Sequence, residues 1–174
     1  MIFETKRLIA RRFEPRDLEA FVAMRSDPEA ARYQSWDSYG ETEARAFLQD
    51  IASRQPGQPG WFQFALENCE TGEFSGDCGL RIMEHDQRLA QIGYTIVRDS
   101  WGKGFATEAV SALAAYAFAA FSLHRITASV DPRNLASCRV LEKAGFVKEA
   151  HFRKSEWFKG QWADDVIYAR LRAD

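Results

Sequence analysis

The chain has 174 residues, of which 46% are hydrophobic and 13% aromatic. This length and apolar content predict one domain, residues 1–174, with a single core, and they exclude a disordered or low-complexity chain. The 23 Lys and Arg residues are balanced by 25 Asp and Glu residues, which gives a formal net charge of -2. Composition therefore predicts no nucleic-acid partner, since no global positive field is available to attract a phosphate backbone.

The three cysteines are Cys69, Cys78 and Cys138. An odd number in a chain of this length argues against a secreted disulfide scaffold and favours a reducing compartment, so a cytoplasmic location is predicted. The N-terminal residues lack the apolar core of a signal peptide. The longest apolar-rich run, 112–121, has about half of the roughly 20 residues that a membrane-spanning helix needs, which predicts no membrane association. The histidines are far apart and do not lie at metal-ligand spacing from a cysteine, so no metal site is predicted.

The first third of the chain predicts one strand followed by two helices. Residues 8–13 have a β-compatible pattern, and from Asp17 apolar residues recur at helical spacing until Pro28 stops the helix. A second helix is expected to begin at Glu41. The intervening stretch, residues 32–40, is aromatic and polar without clean periodicity, which is typical of a loop over a binding cleft.

The breaker-rich sequence Gln-Pro-Gly-Gln-Pro-Gly at 55–60 precedes the alternating part of the chain. Strands are predicted at 61–67, 76–83, 90–97, 125–130, 153–158 and 162–171, and helices at 106–121 and 135–144. The complete order is β-α-α-β-β-β-α-β-α-β-β, which indicates an α/β domain with a mixed sheet. Its first strands pair antiparallel, whereas strand 90–97, the long helix and strand 125–130 form a right-handed parallel crossover.

The most informative segment is 97–109, Val-Arg-Asp-Ser-Trp-Gly-Lys-Gly-Phe-Ala-Thr-Glu-Ala, where a strand leads through Gly102 and Gly104 into a helix. Glycines let backbone N–H groups approach an anion closely, and the helix N-terminus adds partial positive charge. Glycines that serve only the turn are the commoner alternative. No Walker pattern follows, and a dinucleotide-binding fingerprint fits poorly because Thr107 stands where its third Gly or Ala is expected. The segment is therefore a candidate phosphate-binding loop.

A second segment, 131–146, reads Asp-Pro-Arg-Asn-Leu-Ala-Ser-Cys-Arg-Val-Leu-Glu-Lys-Ala-Gly-Phe. By itself it predicts Asn134 as a helix N-cap and Ser137 as a first-turn residue. Together with Trp-Gly-Lys-Gly-Phe-Ala-Thr-Glu-Ala, however, it resembles the Gcn5-related N-acetyltransferase (GNAT) superfamily, and more narrowly its ribosomal-protein N-acetyltransferase-like branch. The N-terminal Thr-Lys-Arg-Leu-Ile-Ala-Arg-Arg and the closing Trp-Ala-Asp-Asp-Val-Ile-Tyr resemble that branch too, so the likeness covers nearly the whole chain.

This resemblance implies the acyl-CoA N-acyltransferase fold and transfer of acetyl from acetyl-CoA to an amine. It implies that the cofactor is bound by the strand residues Ile96, Val97 and Arg98, by the loop and helix residues Gly102, Lys103, Gly104, Phe105, Ala106 and Thr107, and by Asn134. Ser137 matches a position that stabilises or protonates the leaving thiolate, a role that a water relay fills equally well. One departure is Asp99, where the superfamily has Gln or Arg, and the charges of Arg98 and Lys103 are expected to offset it.

The acceptor amine must lose a proton, and Glu84 is the predicted base because it follows the second hairpin strand. His85 and Asp86 are its neighbours, and a solvated loop acid is the alternative interpretation of Glu84. Other polar and aromatic residues are not interpreted as catalytic. Glu108 is a favourable charge at a helix N-terminus, Tyr94 and Trp101 are core or cleft-wall aromatics, and Asp164 and Tyr168 have structural roles.

The sequence favours the α-amine of a protein or peptide as the acceptor. An α-amine has a pKa of about 7.7 to 8.0 and needs much less help from a base than a lysine amine near 10.4. Asp37, Glu41 and Glu43 add negative charge that attracts a cationic peptide. The alternatives are a small amine such as a polyamine or an antibiotic, and a non-catalytic CoA-binding sensor. The expected oligomeric state is a monomer or a homodimer.

Overall fold

The computed structural model describes residues 1–37 and 39–173; Ser38, in the predicted loop 32–40, and Asp174 lie outside the described residues. The strands are β1 (Phe3–Glu4), β2 (Leu8–Arg11), β3 (Gly60–Asn68), β4 (Phe74–Ile82), β5 (Leu89–Ile96), β6 (Arg125–Val130), β7 (Val147–Phe158) and β8 (Gln161–Leu171). The helices are α1 (Leu18–Ser26), α2 (Pro28–Ala31), α3 (Glu41–Ser53), α4 (Phe105–Ala120) and α5 (Leu135–Lys143).

All eight strands form one sheet in the order β1-β2-β3-β4-β5-β6-β8-β7. Neighbouring strands pair antiparallel except β5 and β6, which are parallel and are connected through α4. The prediction of a mixed α/β fold with antiparallel strands and one parallel crossover is confirmed.

The parallel pair β5 and β6 separates partway along its length. Residues Leu89–Gln91 pair with Arg125–Thr127, whereas β6 continues to pair with β8 as far as Val130. From Ile92 onward, β5 keeps its partner β4 on one side and has no strand partner on the other within the described residues. A wedge-shaped cleft therefore opens between the C-terminal halves of β5 and β6, and the polar backbone groups along its edge are available to other partners.

Helix α4 packs centrally because it is apolar on most of its surface. Its Ala109, Val110 and Leu113 are fully buried and lie in one cluster with Cys78 and Leu80 of β4. Since successive side chains of a strand point to opposite faces, Asp77 of β4 faces away from this cluster. On that second face, α1 and α3 pack around an aromatic group centred on Phe21.

A buried ion pair links the second face to the sheet. Arg25 of α1 donates to Asp77 at 2.5 Å, and both side chains are almost fully excluded from solvent. Burial raises the pKa of Asp77, against the lowering effect of the Arg25 charge and hydrogen bond. The Arg25 guanidinium also lies 3.7 Å from the centroid of the Trp36 ring, which fixes part of the segment that follows α2.

Three elements differ from the sequence prediction. Strand β1 pairs with β2 and was not predicted from the sequence. Pro28 follows the end of α1 and is also the first residue of the short helix α2, which was not predicted. The N-cap of α2 is Asp27, whose side chain accepts a hydrogen bond from the Glu29 amide at 2.9 Å. Strand β7 begins at Val147 rather than at the predicted residue 153. Its exposed edge carries charged residues on both faces, so no alternating pattern marks its beginning.

Candidate active site

The glycine-containing loop after β5 ends at the N-terminus of α4. Gly104 is the N-cap, with φ 82°, and Gly102 has φ 71°, both in the left-handed region that favours glycine. The first-turn amides of Phe105, Ala106 and Thr107 have no acceptor inside the helix because they lie in its first turn. The loop therefore presents N–H groups and the positive end of a helix of 16 residues, an arrangement suited to an anion.

These amides face a cavity of about 670 Å³, which we call the cationic cavity. It lies between the N-terminal ends of α4 and α5 and the last residues of β5. Its charged lining consists of four cations and one acid: Arg32, Arg133, Arg139, Lys143 and Glu29. The excess of positive charge, added to the helix N-terminus, fits a ligand that carries several phosphate charges.

Most of the predicted cofactor residues meet at this cavity, namely Ile96, Gly102, Gly104, Phe105, Ala106, Thr107 and Asn134. Three others do not line it. The Val97 amide donates to the Ser75 carbonyl, the Arg98 side chain pairs with Asp27 at 2.8 Å, and the Lys103 carbonyl accepts from Arg7 at 2.8 Å.

Asp99, the residue that departs from the superfamily pattern, lies in a short 3-10 turn, Arg98–Ser100. It is exposed and is not part of the cavity lining. Its carboxylate therefore does not compete with an anion in the cationic cavity.

Asn134 and Ser137 hold the beginning of α5. The Asn134 Oδ1 accepts a hydrogen bond from the Ser137 amide at 3.1 Å, as an N-cap does. Asn134 is thus both the predicted N-cap and a residue of the cavity wall. The Ser137 hydroxyl oxygen lies 2.6 Å from the Tyr94 hydroxyl oxygen. Burial raises the pKa of Tyr94 to about 12, so its hydroxyl is protonated at neutral pH.

A second cavity, of about 240 Å³, fills the cleft between β5 and β6, and we call it the acidic cavity. Both cavities share the wall residues Tyr33, Gln34, Tyr94, Asn134 and Ser137. Four carboxylates line the acidic cavity, and within the described part of the chain no Lys, Arg or His does: Asp131, Glu156, Asp164 and Asp165. A cationic ligand is therefore favoured on this side of Tyr94 and Ser137.

Three of these carboxylates already have partners. Asp131 pairs with Arg133, Asp164 accepts from His151 at 2.8 Å and from the Lys154 amide at 3.0 Å, and Asp165 accepts from the Ser129 hydroxyl at 2.6 Å. The Lys154 amide and the His151 side chain hold the pKa of Asp164 below its ordinary value. Glu156 is exposed and has no hydrogen-bond or ion-pair partner among the described residues.

The structure does not bring Glu84 to this region. Glu84 lies in the turn between β4 and β5, at the end where Leu89 still pairs with Arg125 of β6. At about 3.3 Å per strand residue, Tyr94 is roughly 17 Å further along β5 from Leu89. The prediction that Glu84 is the base is therefore corrected: the carboxylates of the cleft come from Asp131, the residue after β6, and from the β7–β8 hairpin.

Sequence reasoning missed Glu156 and underrated Tyr94. Glu156 is separated by 19 residues from Ser137 in sequence, and only the pairing of β7 with β8 brings it to the cleft. The one sequence signal for Tyr94 was its place on the strand that leads into the glycine loop.

Comparison with known proteins identifies the class. Residues 7–147 match the family model described as an acetyltransferase (GNAT) domain, and the chain belongs to this acetyltransferase family. An uncharacterized N-acetyltransferase of Bacillus licheniformis, p20, is 34% identical over 172 residues, covering 98% of this chain and 96% of its own. The [ribosomal protein uS5]-alanine N-acetyltransferase of Escherichia coli is 35% identical over 114 residues, 65% of this chain and 59% of its own.

Solved structures agree with this membership. A GNAT-family acetyltransferase from Bacillus anthracis has a TM-score of 0.88 and 28% identity, with 98% of each chain covered. Spermidine N-acetyltransferase from Vibrio cholerae, in complex with CoA and spermine, has a TM-score of 0.84 at 21% identity, with 97% of this chain and 98% of that chain covered; at this identity the likeness shows the fold. The chain is thus an N-acetyltransferase that uses acetyl-CoA. No helix within residues 1–37 and 39–173 has the length and apolar character to cross a membrane.

Proposed function

We propose that the protein transfers acetyl from acetyl-CoA, bound in the cationic cavity, to the α-amine of a protein or peptide that enters the acidic cavity. The observation that carries the proposal is the junction of the two cavities. One cavity has an excess of positive charge and the other is lined by carboxylates, and they meet at Tyr94 and Ser137. A phosphorylated acyl donor and a cationic amine are thereby directed to opposite sides of one pair of hydroxyl groups.

The donor side is argued from the residues that line the cationic cavity. The amides of Phe105, Ala106 and Thr107 would hold the pyrophosphate, and Arg139 and Lys143 add positive charge on α5. When bound, acetyl-CoA supplies a thioester carbonyl that an amine can attack. The free edge of β5 beyond Gln91 supplies backbone N–H groups toward this side, and such groups stabilise developing negative charge on an oxygen.

Two proton steps are within reach of the described side chains. Glu156 is the candidate base, because it is the cleft carboxylate without a protein partner, and it would accept the proton that the attacking amine must lose. Ser137 is the candidate donor to the leaving thiolate. If Tyr94 donates its proton to the Ser137 oxygen, the Ser137 proton is free to point toward the sulfur.

The α-amine is preferred for its acid-base chemistry. With a pKa of about 7.7 to 8.0 it is roughly one-tenth neutral at pH 7, whereas a lysine amine near 10.4 is neutral in well under one part in a thousand. One carboxylate without a protein partner, that of Glu156, is therefore a sufficient base for an α-amine. The relative that acts on a ribosomal-protein alanine supports this acceptor class.

A polyamine is the second candidate, and a specific observation favours it. Four carboxylates in a cavity of about 240 Å³ are more than a single ammonium group requires, and a polyamine has several. The alternative of a non-catalytic sensor is less favoured, because a sensor has no use for a second cavity beside the donor site.

The acceptor is tested by measuring kcat/KM with free-CoA detection. The substrates are Ala- and Ser-initiated peptides, the same peptides with blocked N-termini and one internal lysine, and spermidine. We expect the free N-terminal peptides to be the best substrates by at least tenfold. Preference for spermidine establishes the second candidate instead, and preference for the blocked peptides contradicts both.

Location and assembly remain proposals. The three cysteines are free thiols, which supports the proposed reducing cytoplasm. A monomer or a homodimer is proposed, and light scattering coupled to size-exclusion chromatography distinguishes them.

A further inference from the structure

The turn between β7 and β8 contains a lysine at an unfavourable position. Lys159 and Gly160 have φ values of 47° and 79°, the pair of left-handed residues found in tight type I′ hairpin turns. Asn, Asp and Gly are the residues that such a turn favours at the position of Lys159. The geometry of the turn therefore does not account for a lysine there.

The contacts of the Lys159 ammonium group explain why a lysine occupies this position. The Lys159 Nζ donates to the Ala31 carbonyl at 2.6 Å and to the Trp36 carbonyl at 2.8 Å, and it lies 3.1 Å from the Asp37 carboxylate. These contacts match the three donors of an ammonium group. They also join residues more than 120 positions apart in the chain.

The segment that Lys159 holds is also anchored from its other side. The Trp36 indole donates to the Arg25 carbonyl at 3.0 Å and its ring covers the Arg25 guanidinium. Between the anchored residues Ala31 and Trp36 lie Tyr33 and Gln34, which form part of the wall of both cavities. The side-chain Nε2 of Gln34 donates to the Tyr94 carbonyl at 3.4 Å.

The hairpin contributes the opposite wall. Glu156 and Phe158 line the acidic cavity, and Phe158 is the residue directly before Lys159. One side chain, that of Lys159, thus connects the tip of the hairpin to the segment 31–37.

We infer that Lys159 is a positioning residue for the acceptor amine. Its ammonium fixes the segment 31–37 against the β7–β8 turn and so sets the separation between Tyr33 and Gln34 on one wall and Glu156 on the other. Lys159 does not line the cavity and acts through these residues. The inference rests on the proposed function only in taking the acidic cavity as the acceptor site.

Two variants remove the ammonium group in different ways. Lys159→Gly suits the left-handed turn and abolishes the contacts, and Lys159→Met keeps the length of the side chain without its charge. Lys148→Met is the matched control, because Lys148 is an exposed lysine of β7, the strand that leads into the turn. Each variant is compared with the parent by hydrogen exchange of amides 31–37, by acceptor KM and kcat, and by calorimetric affinity for CoA.

We expect exchange in 31–37 to rise at least tenfold and acceptor KM to rise at least fivefold in both Lys159 variants. The Kd for CoA should change less than twofold, and Lys148→Met should behave like the parent. Unchanged exchange in 31–37 overturns the inference, as does raised exchange with an unchanged acceptor KM. If the parent acetylates no amine at all, the proposed function fails, while the exchange measurement still decides whether Lys159 holds the segment.

Discussion

The hydroxyl oxygens of Tyr94 and Ser137 lie 2.6 Å apart at the place where the cationic and acidic cavities meet. Tyr94 comes from β5 and Ser137 from the first turn of α5, so the contact spans the cleft that opens between β5 and β6. The pKa of Tyr94, raised by burial to about 12, keeps it a proton donor throughout the neutral range. An alkaline fall in activity below pH 10 therefore cannot come from Tyr94.

Replacing Ser137 by Ala should lower kcat by roughly tenfold to a hundredfold and leave KM for acetyl-CoA nearly unchanged, because only the departing sulfur loses a donor. Tyr94→Phe should cost about twofold to tenfold in kcat, the rate equivalent of one ordinary hydrogen bond of about 0.5–1.5 kcal/mol. Steady-state kinetics of both variants and of the double variant are the measurement. If the two residues act as a pair, the double variant is no slower than Ser137→Ala; full kcat in Ser137→Ala would show that Ser137 only shapes the helix.

Glu156→Gln should lower kcat/KM by roughly a hundredfold or more, because the attacking amine loses its proton acceptor. Glu84→Gln is the matched control, and it should retain parental activity because Glu84 lies at the other end of β5. Loss of activity in Glu84→Gln with a fully active Glu156→Gln would reverse the correction made from the structure.

Gly104→Glu should abolish binding of acetyl-CoA by placing a carboxylate among the amides of the α4 N-terminus. Gly104 has φ 82°, and a Cβ there would lie 3.4 Å from an Arg7 nitrogen, so any side chain adds backbone strain. Gly104→Ala separates the two effects: it should cost about 1–2 kcal/mol of stability and still bind. Calorimetry with acetyl-CoA, alongside circular dichroism, measures both. Equal loss of binding in the two variants would mean that strain rather than charge is responsible.

Glu108 is predicted to stabilise the folded chain in a pH-dependent manner. Burial acts to raise the pKa of this carboxyl, but hydrogen bonds from Thr5 and Arg7 and the charge of Arg7 outweigh it, so the pKa is lowered. A depressed folded-state pKa stabilises the protein above the unfolded value, about 4.3, and this contribution is lost as pH falls. Glu108→Gln should therefore reduce the free energy of unfolding by about 1.5–3 kcal/mol at pH 7, and by much less at pH 3.

Glu19→Gln is the control for this experiment, because Glu19 is an exposed acid in the first turn of α1. A general helix-dipole effect would make the two variants equal at a few tenths of a kcal/mol. Urea unfolding at pH 7 and pH 3 distinguishes the cases. A gap between Glu108→Gln and the parent that is the same at both pH values contradicts the pKa argument.

The donor side of the site could be predicted from sequence because its determinants are local. Gly102 and Gly104 precede α4 directly, and Asn134 and Ser137 form an N-cap within one turn of α5. Short-range patterns therefore indicated both segments, and the family resemblance assigned them to one cofactor site. The acceptor side could not be predicted in this way. Glu156 reaches the cleft through a hairpin whose register shifts between Phe152 and Glu156, and no sequence periodicity reports such a shift. The prediction that Glu84 is the base was wrong because the order of elements along the chain does not determine at which end of the sheet a turn lies.

The two cavities draw most of their charged residues from different parts of the chain. The cationic cavity takes Ile96, Thr107 and Lys143 from the span that matches the family model, residues 7–147, whereas Glu156, Asp164 and Asp165 of the acidic cavity lie beyond it. With the acceptor in the acidic cavity and the acetyl donor in the cationic cavity, as proposed, substitutions in the β7–β8 hairpin are expected to change the acceptor while the donor is bound as before.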